Sequence, residues 1–313
     1  MLEPVRHVGA LARWAVRRNR DENADREALA AHAWSESAAE VDLPAGLRVR
    51  WLGTAGYALS YADHDILIDP YVTRLPLHRL ATPHATPPDQ ALVDRYLPRA
   101  DAVLMGHTHF DHALDAPAVV RRHQCPVYGS QSVATLLGLY EYQSHATVVE
   151  PYEVYEIGPF EVTFVPSVHS KLALGMWVPN SGPITCDSLD RLSPRAFNCD
   201  QVWGIHINVA GVSFYHQGSA DLIDEAVRHR GVDYFLCGIA GRQFSPRYVE
   251  RVLRRLEPRV VVPNHYDNFF KPLTGPMGFT VDVGVARFTE EVAAVSRDFE
   301  IRALGPNQTI EMT

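Results

Sequence analysis

The stretch Gly106-His107-Thr108-His109-Phe110-Asp111-His112 places three imidazoles and one carboxylate within six residues, directly after the apolar run 102–105. Neutral imidazole nitrogens and carboxylate oxygens are the groups that Zn²⁺ and similar divalent cations take as ligands. Groups this close in the chain converge with little loop-closure cost. The stretch therefore predicts a metal site.

The spacing of these residues also indicates which backbone carries them. On a helix, residues two apart point to nearly opposite sides, so His107 and His109 can share a metal only from an extended segment. We expect a loop that follows a strand, and then a helix that opens at Asp111 and His112, where a carboxylate suits the helix N-terminus. This spacing excludes a zinc-binding helix of the His-Glu-x-x-His type.

Length and composition fit one large globular domain, alone or with extensions, because 313 residues with 46% hydrophobic and 21% charged side chains can bury a substantial core. The net charge of -8 argues against a broad phosphate-binding surface, so no nucleic-acid partner is expected. The four cysteines form no Cys-x-x-Cys pair, which favours a reduced, cytoplasmic protein. A bond between Cys186 and Cys199 stays open on spacing alone.

The N-terminal region has its own pattern. No run approaches the ~20 apolar residues of a membrane-spanning helix, and no secretion signal is visible. Residues 1–20 combine apolar side chains at helical spacing with several arginines. Such a helix either docks on its own domain or rests on an anionic membrane surface as a peripheral contact. We expect an N-terminal helical extension over residues 1–45 and a folded domain over residues 46–313.

Alternating or continuous apolar runs bounded by turn residues predict many short strands with helices between them. One of these helices is expected over residues 220–229. This pattern favours two packed sheets covered by helices. The long Pro- and Gly-containing segment 170–203 is expected to form a lid or a wall of a binding site.

Several motifs follow one another in an order that resembles the metallo-β-lactamase-fold hydrolase superfamily, and they span residues 47–270. Besides the histidine cluster they are Trp51-Leu52-Gly53-Thr54-Ala55-Gly56, Leu67-Ile68-Asp69-Pro70, Pro166-Ser167-Val168-His169 and Val262-Pro263-Asn264-His265. Among its branches, the chain is most similar to the ascorbate-6-phosphate-lactonase-like and N-acylphosphatidylethanolamine phospholipase D-like groups. The resemblance implies an α+β protein with the αβ/βα four-layer sandwich of this superfamily over residues 46–313.

The resemblance also implies which residues bind metal. One ion would be held by His107, His109 and His169, and a second by Asp111, His112 and His265. The sequence supports the two distant ligands independently, because each follows a predicted strand, at the position where sheets present ligands. The cofactor is expected to be Zn²⁺, as one or two ions, with Mn²⁺ or Fe²⁺ as alternatives. We interpret Asp111 and His109 as the catalytic residues.

Four further residues are candidates near the site. Asp69 resembles an acid that orients a ligand loop, although an Asp in this place can also simply begin a turn. Ser219 stands where the superfamily usually carries a carboxylate that bridges both metals, so the second ion would bind more weakly. Asp221 either reaches inward or borders a helix. His216 either contacts substrate or is a buried, satisfied histidine.

The implied activity is hydrolysis of an ester-type bond by a metal-activated water that Asp111 orients or deprotonates. The excess positive charge of the metal site favours anionic small-molecule or lipid substrates, such as phosphodiesters, phospholipids and phosphorylated lactones. Two alternatives stay open: a mononuclear iron oxidase or dioxygenase on the same fold, and a metal-poor binding or regulatory protein. The sequence leaves the oligomeric state undetermined.

Overall fold

The computed structural model describes residues 18, 20–35, 43–171 and 176–311. The strands, in chain order, are β1 (Arg48–Gly53), β2 (Gly56–Tyr61), β3 (His64–Ile68), β4 (Ala102–Leu104), β5 (Val127–Gly129), β6 (Ala146–Val148), β7 (Val154–Ile157), β8 (Phe160–Ser167), β9 (Val202–Val209), β10 (Val212–Gln217), β11 (Tyr234–Gly238), β12 (Val260–Asn264), β13 (Glu300–Ile301) and β14 (Thr309–Glu311).

The α-helices are α1 (20–31), α2 (Gln90–Tyr96), α3 (Phe110–Ala113), α4 (Ala116–His123), α5 (Gln131–Leu139), α6 (Tyr248–Leu256) and α7 (Val285–Val295). Short 3-10 turns occur at Leu77–Ala81, Gln143–His145, Leu189–Arg191, Pro194–Ala196 and Arg242–Phe244. The strands form two seven-stranded sheets, in the orders β14-β1-β2-β3-β4-β5-β6 and β13-β12-β11-β10-β9-β8-β7.

Alternation along the strands explains the layers. In β3, Ile66 and Ile68 belong to the core between the two sheets, whereas Leu67 packs in the outer cluster with helices α2 to α5. Because successive strand residues point to opposite faces, one apolar strand serves two layers. Helices α6 and α7 pack with the second sheet. The result is the predicted αβ/βα four-layer sandwich.

The N-terminal segment docks on this sandwich where the structure describes it. The Asp25 carboxylate accepts the Ala286 amide at the start of α7 at 2.9 Å. The ring of Trp34 stacks on Tyr234 of β11 with the ring centroids 5.3 Å apart. Most of the basic amphipathic stretch 1–20 lies outside the described residues. Within those residues, no helix has both the length and the apolar composition to cross a bilayer. All four cysteines are free thiols.

The predicted helix over residues 220–229 is wrong, and the chain there makes turns instead. Its first carbonyls are bound by side chains from elsewhere. The Gln217 amide donates to the Asp221 carbonyl at 3.0 Å, and the Arg251 guanidinium donates to the Leu222 carbonyl at 3.0 Å. A helix needs these carbonyls for its own amides four residues later, so the side-chain contacts replace the helical ones.

A stacked histidine pair lies on the second sheet. The rings of His206 on β9 and His229 are 3.8 Å apart between centroids and inclined by 14°. Burial, followed by the nearby charge of a protonated His229, lowers the pKa of His206 to about 4. Burial also lowers the pKa of His229, so the folded protein keeps both rings neutral near neutral pH.

This pair predicts an acid-sensitive contribution to stability. Because the pKa of His206 lies below its ordinary value of 6.5, the unfolded chain binds the extra proton first, and stability falls as the pH drops through this window. From about pH 7 to about pH 4.5, wild type should lose ~1–3 kcal/mol of unfolding free energy relative to His206→Gln. Urea unfolding of both proteins at each pH measures this loss. Parallel pH dependences would contradict the prediction.

Candidate metal centre

The six predicted ligands lie just beyond the carboxyl ends of strands. In the second sheet, β8 and β10 are both antiparallel to β9, and β10, β11 and β12 are parallel, so β8, β10 and β12 run in one direction. Their ends therefore meet at one edge, which carries His169 after β8 and His265 after β12. In the first sheet, β3 and β4 are parallel and end at Asp69 and at the histidine cluster. Strand direction thus brings distant parts of the chain together.

His107, His109 and His169 form the first group of candidate ligands. The ligand atoms of this group all lie within 4.8 Å of one another. The Nε2 atom of His107 is 3.2 Å from Nδ1 of His109, and the rings of His109 and His169 have centroids 4.7 Å apart. His107 is 1% exposed and His109 8%. Three imidazole nitrogens therefore converge in a buried position.

Asp111, His112 and His265 form the second group, again with all ligand atoms within 4.8 Å of one another. The Oδ2 atom of Asp111 lies 3.3 Å from Nε2 of His265 and 3.9 Å from Nε2 of His112. The two groups are neighbours, because the ring centroids of His107 and His112 are only 3.8 Å apart.

Outer hydrogen bonds turn these imidazoles toward the centre. His109 uses Nε2 to contact the Pro179 carbonyl at 2.9 Å, and His169 uses Nδ1 to contact the Ser170 carbonyl at 2.7 Å. Each ring thereby donates one N–H outward and keeps a free lone pair on its other nitrogen. This is the usual arrangement of metal-ligating histidines. The donor set therefore fits a divalent cation such as Zn²⁺, and the same nitrogens also suit Fe²⁺ or Mn²⁺.

Asp69 is the carboxylate that connects these loops. Its Oδ1 accepts the Gly106 amide at 2.6 Å, and its Oδ2 contacts Nδ1 of His112 at 2.8 Å. Glycine is required at Gly106 and Gly218, because a Cβ at either position would lie 2.8 or 2.9 Å from Asp69 Oδ2. Asp69 is fully buried and orients the loop that carries the histidine cluster.

A buried ion pair supports the His265 side. Arg74 donates from Nη1 to Oδ2 of Asp267 at 2.7 Å, and both side chains are at most 4% exposed. Asp267 Oδ1 accepts the Thr54 amide at 2.8 Å, and the Thr54 carbonyl accepts the His265 amide at 2.7 Å. His265 itself has φ 61°, a left-handed conformation that is strained for a side-chain-bearing residue. Sequence reasoning missed this pair, for which the only signal was a carboxylate two residues after a ligand.

The protonation states suit metal binding. Burial, with the charges of neighbouring histidines, lowers the pKa of His107 and brings the pKa of His169 to about 3. Burial alone would lower the pKa of His112, but the nearby carboxylates of Asp69 and Asp111 outweigh burial, so the pKa of His112 is raised. For Asp111, burial opposes ionisation, yet the adjacent His112 and His265 lower its pKa. The first group is therefore neutral imidazole at neutral pH, as a metal ligand must be.

The other candidates are placed differently. Asp69 belongs to a third converging group, with His107 and His112. His216 is fully buried, its Nε2 lies 2.8 Å from the Ala55 carbonyl, and it lies outside all three groups. Asp221 pairs with Arg251 at 3.0 Å and also lies outside those groups. The Ser219 hydroxyl contacts the backbone on both sides of His169. Neither His216 nor Asp221 therefore adds to the converging ligand atoms, and Ser219 uses its hydroxyl for the backbone next to His169.

Apolar side chains border the centre. Phe269 packs edge-on against the His265 ring, 5.2 Å between centroids, and stacks obliquely on Phe270 at 4.4 Å. Both phenylalanines are half-buried. Across the site, Pro179 contacts His109, and Trp177, two residues earlier, is 55% exposed. The described part of segment 170–203 thus packs against the metal loops.

Comparison with known proteins agrees with this geometry. A family profile described as Beta-lactamase superfamily domain matches residues 48–265, more than two thirds of the 313 residues. The chain belongs to this family. The match confirms the predicted superfamily and spans all six converging ligands.

Relatives of the superfamily cover nearly the same length. A protein of Archaeoglobus fulgidus described as UPF0173 metal-dependent hydrolase is 25% identical over 276 residues, which are 85% of this chain and 99% of the relative. The solved structure of Igni18, a metallo hydrolase from Ignicoccus hospitalis, aligns with TM-score 0.54 and 18% identity over 84% of this chain and 97% of that one.

CmlA, a diiron beta-hydroxylase from Streptomyces venezuelae, aligns with TM-score 0.56 and 14% identity over 86% of this chain and 55% of that one. Because the identities of both solved structures are low, the likeness shows the fold alone, and it confirms the predicted sandwich.

Proposed function

We propose that this metal-dependent hydrolase cleaves an ester-type bond in an anionic substrate, such as a phosphodiester, a phospholipid or a phosphorylated lactone. The cofactor would be one or two divalent ions, with Zn²⁺ as the first candidate. One observation carries the proposal: the converging atoms include five imidazoles and only two carboxylates, Asp111 and Asp69, and Asp69 is already bound by the Gly106 amide and by His112. Two divalent ions held by this set would keep a net positive charge even with both carboxylates counted, which favours an anionic substrate.

The lysines give further support. The chain has 29 basic residues, of which only Lys171 and Lys271 are lysines. Lys171 lies two residues after the ligand His169, and Lys271 lies six residues after His265. Both are exposed, and neither is among the ion pairs of the described residues. Two flexible cations on the loops that carry the ligands would attract a substrate anion.

The chain's own residues have distinct roles in this proposal. A divalent cation held by these ligands would polarise the bond to be cleaved and acidify a water molecule. Asp111, the carboxylate among the six ligands, would orient that water. His109, held by Pro179, and the other imidazoles keep the ligand geometry fixed. Phe269 and Phe270 offer an apolar wall for an acyl or lipid portion of the substrate.

The partners are proposed on the same basis. We propose a small-molecule or lipid substrate and no nucleic acid, because the overall charge is negative. The basic stretch at residues 1–20 is proposed to allow peripheral contact with an anionic membrane. Free thiols at all four cysteines support a reducing, cytoplasmic setting.

The test loads the protein with Zn²⁺, Mn²⁺ or Fe²⁺ in turn and screens phosphodiester, phospholipid, lactone and thioester substrates. We expect turnover of an anionic ester. For that substrate, Lys171→Gln and Lys271→Gln should raise KM by about threefold to tenfold with little change in kcat, as expected for lost charge attraction. The KM of a neutral ester of similar size is the control. The anionic-substrate proposal would be contradicted if the enzyme preferred the neutral ester and the lysine variants changed neither the KM for the anionic ester nor the KM for the neutral one.

The same screen separates hydrolysis from the oxygenase alternative. Metal analysis of protein purified without added metal, together with oxygen uptake, identifies an iron enzyme if stoichiometric iron and oxygen consumption occur together. Hydrolysis without oxygen uptake supports the proposal.

A further inference from the structure

The loop that carries His169 is bracketed by one hydroxyl. Ser219, which follows β10, accepts the Ser170 amide at 3.2 Å and donates to the Val168 carbonyl at 3.3 Å. These two backbone groups lie on either side of His169. The Ser219 hydroxyl has a single proton, which the Val168 carbonyl accepts, and the residue is only 4% exposed.

The backbone of Ser170 is held at both its amide and its carbonyl. Its amide is held by Ser219, and its carbonyl contacts Nδ1 of His169 at 2.7 Å. A continuous set of hydrogen bonds therefore runs from the Ser219 hydroxyl to the outer nitrogen of the His169 ring. The orientation of the inner nitrogen, which faces His107 and His109, depends on this set.

A second row of contacts holds Ser219 in place. The Gln217 amide donates to the Ser167 hydroxyl at 2.9 Å and to the Asp221 carbonyl at 3.0 Å, which joins the ends of β8 and β10. On the far side, Arg251 of α6 pairs with the Asp221 carboxylate at 3.0 Å and with Asp224. The loop that bears Ser219 is therefore tied to the strand that bears the ligand and to a helix behind it.

We propose that Ser219 is a positioning residue, which fixes the backbone around His169 and so sets the affinity of the His107, His109 and His169 group for its metal. Ser219 is not itself a ligand. The inference rests on the metal-dependent chemistry proposed above and adds a residue to it. Outer partners of metal ligands typically contribute 10-fold to 100-fold to metal affinity, because they hold the ligand atom in place before the metal arrives.

The test measures metal binding without turnover. Zinc affinity is determined by competition with a chromophoric chelator, and the Co²⁺ absorption spectrum reports the ligand geometry. The binding event that His169→Ala abolishes is taken as the one that depends on His169. We expect Ser219→Ala to weaken that event by about 10-fold to 100-fold and to alter the Co²⁺ spectrum. Ser219→Thr, which keeps the hydroxyl, should restore most of the affinity.

Ser213→Ala is the matched control, because Ser213 lies near the start of β10, at the end opposite to Ser219. Its hydroxyl makes comparable hydrogen bonds: it donates to Asp233 Oδ2 at 2.8 Å and accepts the Asp233 amide at 2.9 Å. This variant should leave zinc affinity and the Co²⁺ spectrum unchanged. Circular dichroism of each variant shows that the fold is retained.

Ser219→Asp distinguishes a positioning role from a ligand role. A carboxylate in place of the hydroxyl cannot donate to the Val168 carbonyl, so the binding event that depends on His169 should weaken, as in Ser219→Ala. Tighter binding of that event in Ser219→Asp, or unchanged affinity in Ser219→Ala, would overturn the inference while wild-type binding still supports the proposed function. Wild-type protein that binds no divalent metal would overturn both.

Discussion

His109→Ala is expected to lower kcat/KM by at least about 10³-fold, or about 4 kcal/mol of transition-state stabilisation, and to reduce the bound metal. His109 contributes Nδ1 to the first ligand group, 3.2 Å from Nε2 of His107. Alanine removes that nitrogen and also the contact from Nε2 to the Pro179 carbonyl. The loss should exceed the 10-fold to 100-fold effects typical of residues that only support a ligand.

The matched control is His123→Ala. His123 ends α4, on the same side of the sandwich, and its Nε2 contacts the Leu97 carbonyl at 2.9 Å, outside the groups of converging ligand atoms. Its replacement should leave the metal content and kcat/KM close to wild type. Steady-state kinetics and elemental analysis on matched preparations measure both. Activity of His109→Ala near the wild-type level would remove the basis of the metal centre described here.

Arg74→Ala is expected to destabilise the fold by about 3–5 kcal/mol, because it leaves the buried Asp267 carboxylate without its partner. Arg74 also donates from Nη2 to the Leu52 carbonyl at 3.1 Å. Since Asp267 holds Thr54, and Thr54 holds the His265 amide, the metal centre should lose order together with stability. Urea unfolding and zinc affinity measure the two effects.

Two further variants test the reason for this loss. Arg74→Ala combined with Asp267→Asn removes the uncompensated charge but keeps an oxygen for the Thr54 amide, so it should recover part of the stability. Arg230→Ala removes an arginine from an exposed pair with Glu257, in which the Arg230 side chain is 68% exposed, and should change stability far less. Equal losses for Arg74→Ala and Arg230→Ala would show that burial of the pair does not matter.

Much of the fold could be predicted from local pattern. The apolar run 102–105 predicted β4, observed as Ala102–Leu104, and alternation in Val162-Thr163-Phe164-Val165 predicted the centre of β8. Strands β7, β13 and β14 were missed. Strand β13 has only two residues and β14 only three. Each forms its hydrogen bonds with a longer strand of a sheet, β13 with β12 and β14 with β1. Short edge strands depend on a partner that the local sequence does not reveal.

In the candidate site, too, some residues could be predicted from the local sequence and others could not. His107, His109, Asp111 and His112 are close in sequence, so their shared role was visible from spacing and ligand chemistry alone. His169 and His265 needed the motif order of the superfamily in addition. The motif order also placed Ser219 near the site, but its contacts with Val168 and Ser170 were not visible, because these residues are about 50 positions away.

The sequence by itself determined most of the longer strands of the sandwich and the chemical type of the metal ligands, because periodicity and donor atoms are local properties. Tertiary structure alone decided three other features: the Arg74–Asp267 pair, 193 residues apart, the bracket of Ser219 around His169, and the absence of a helix at residues 220–229. Each depends on hydrogen-bond partners that only packing brings within reach, and those contacts outweigh the local preference of the chain.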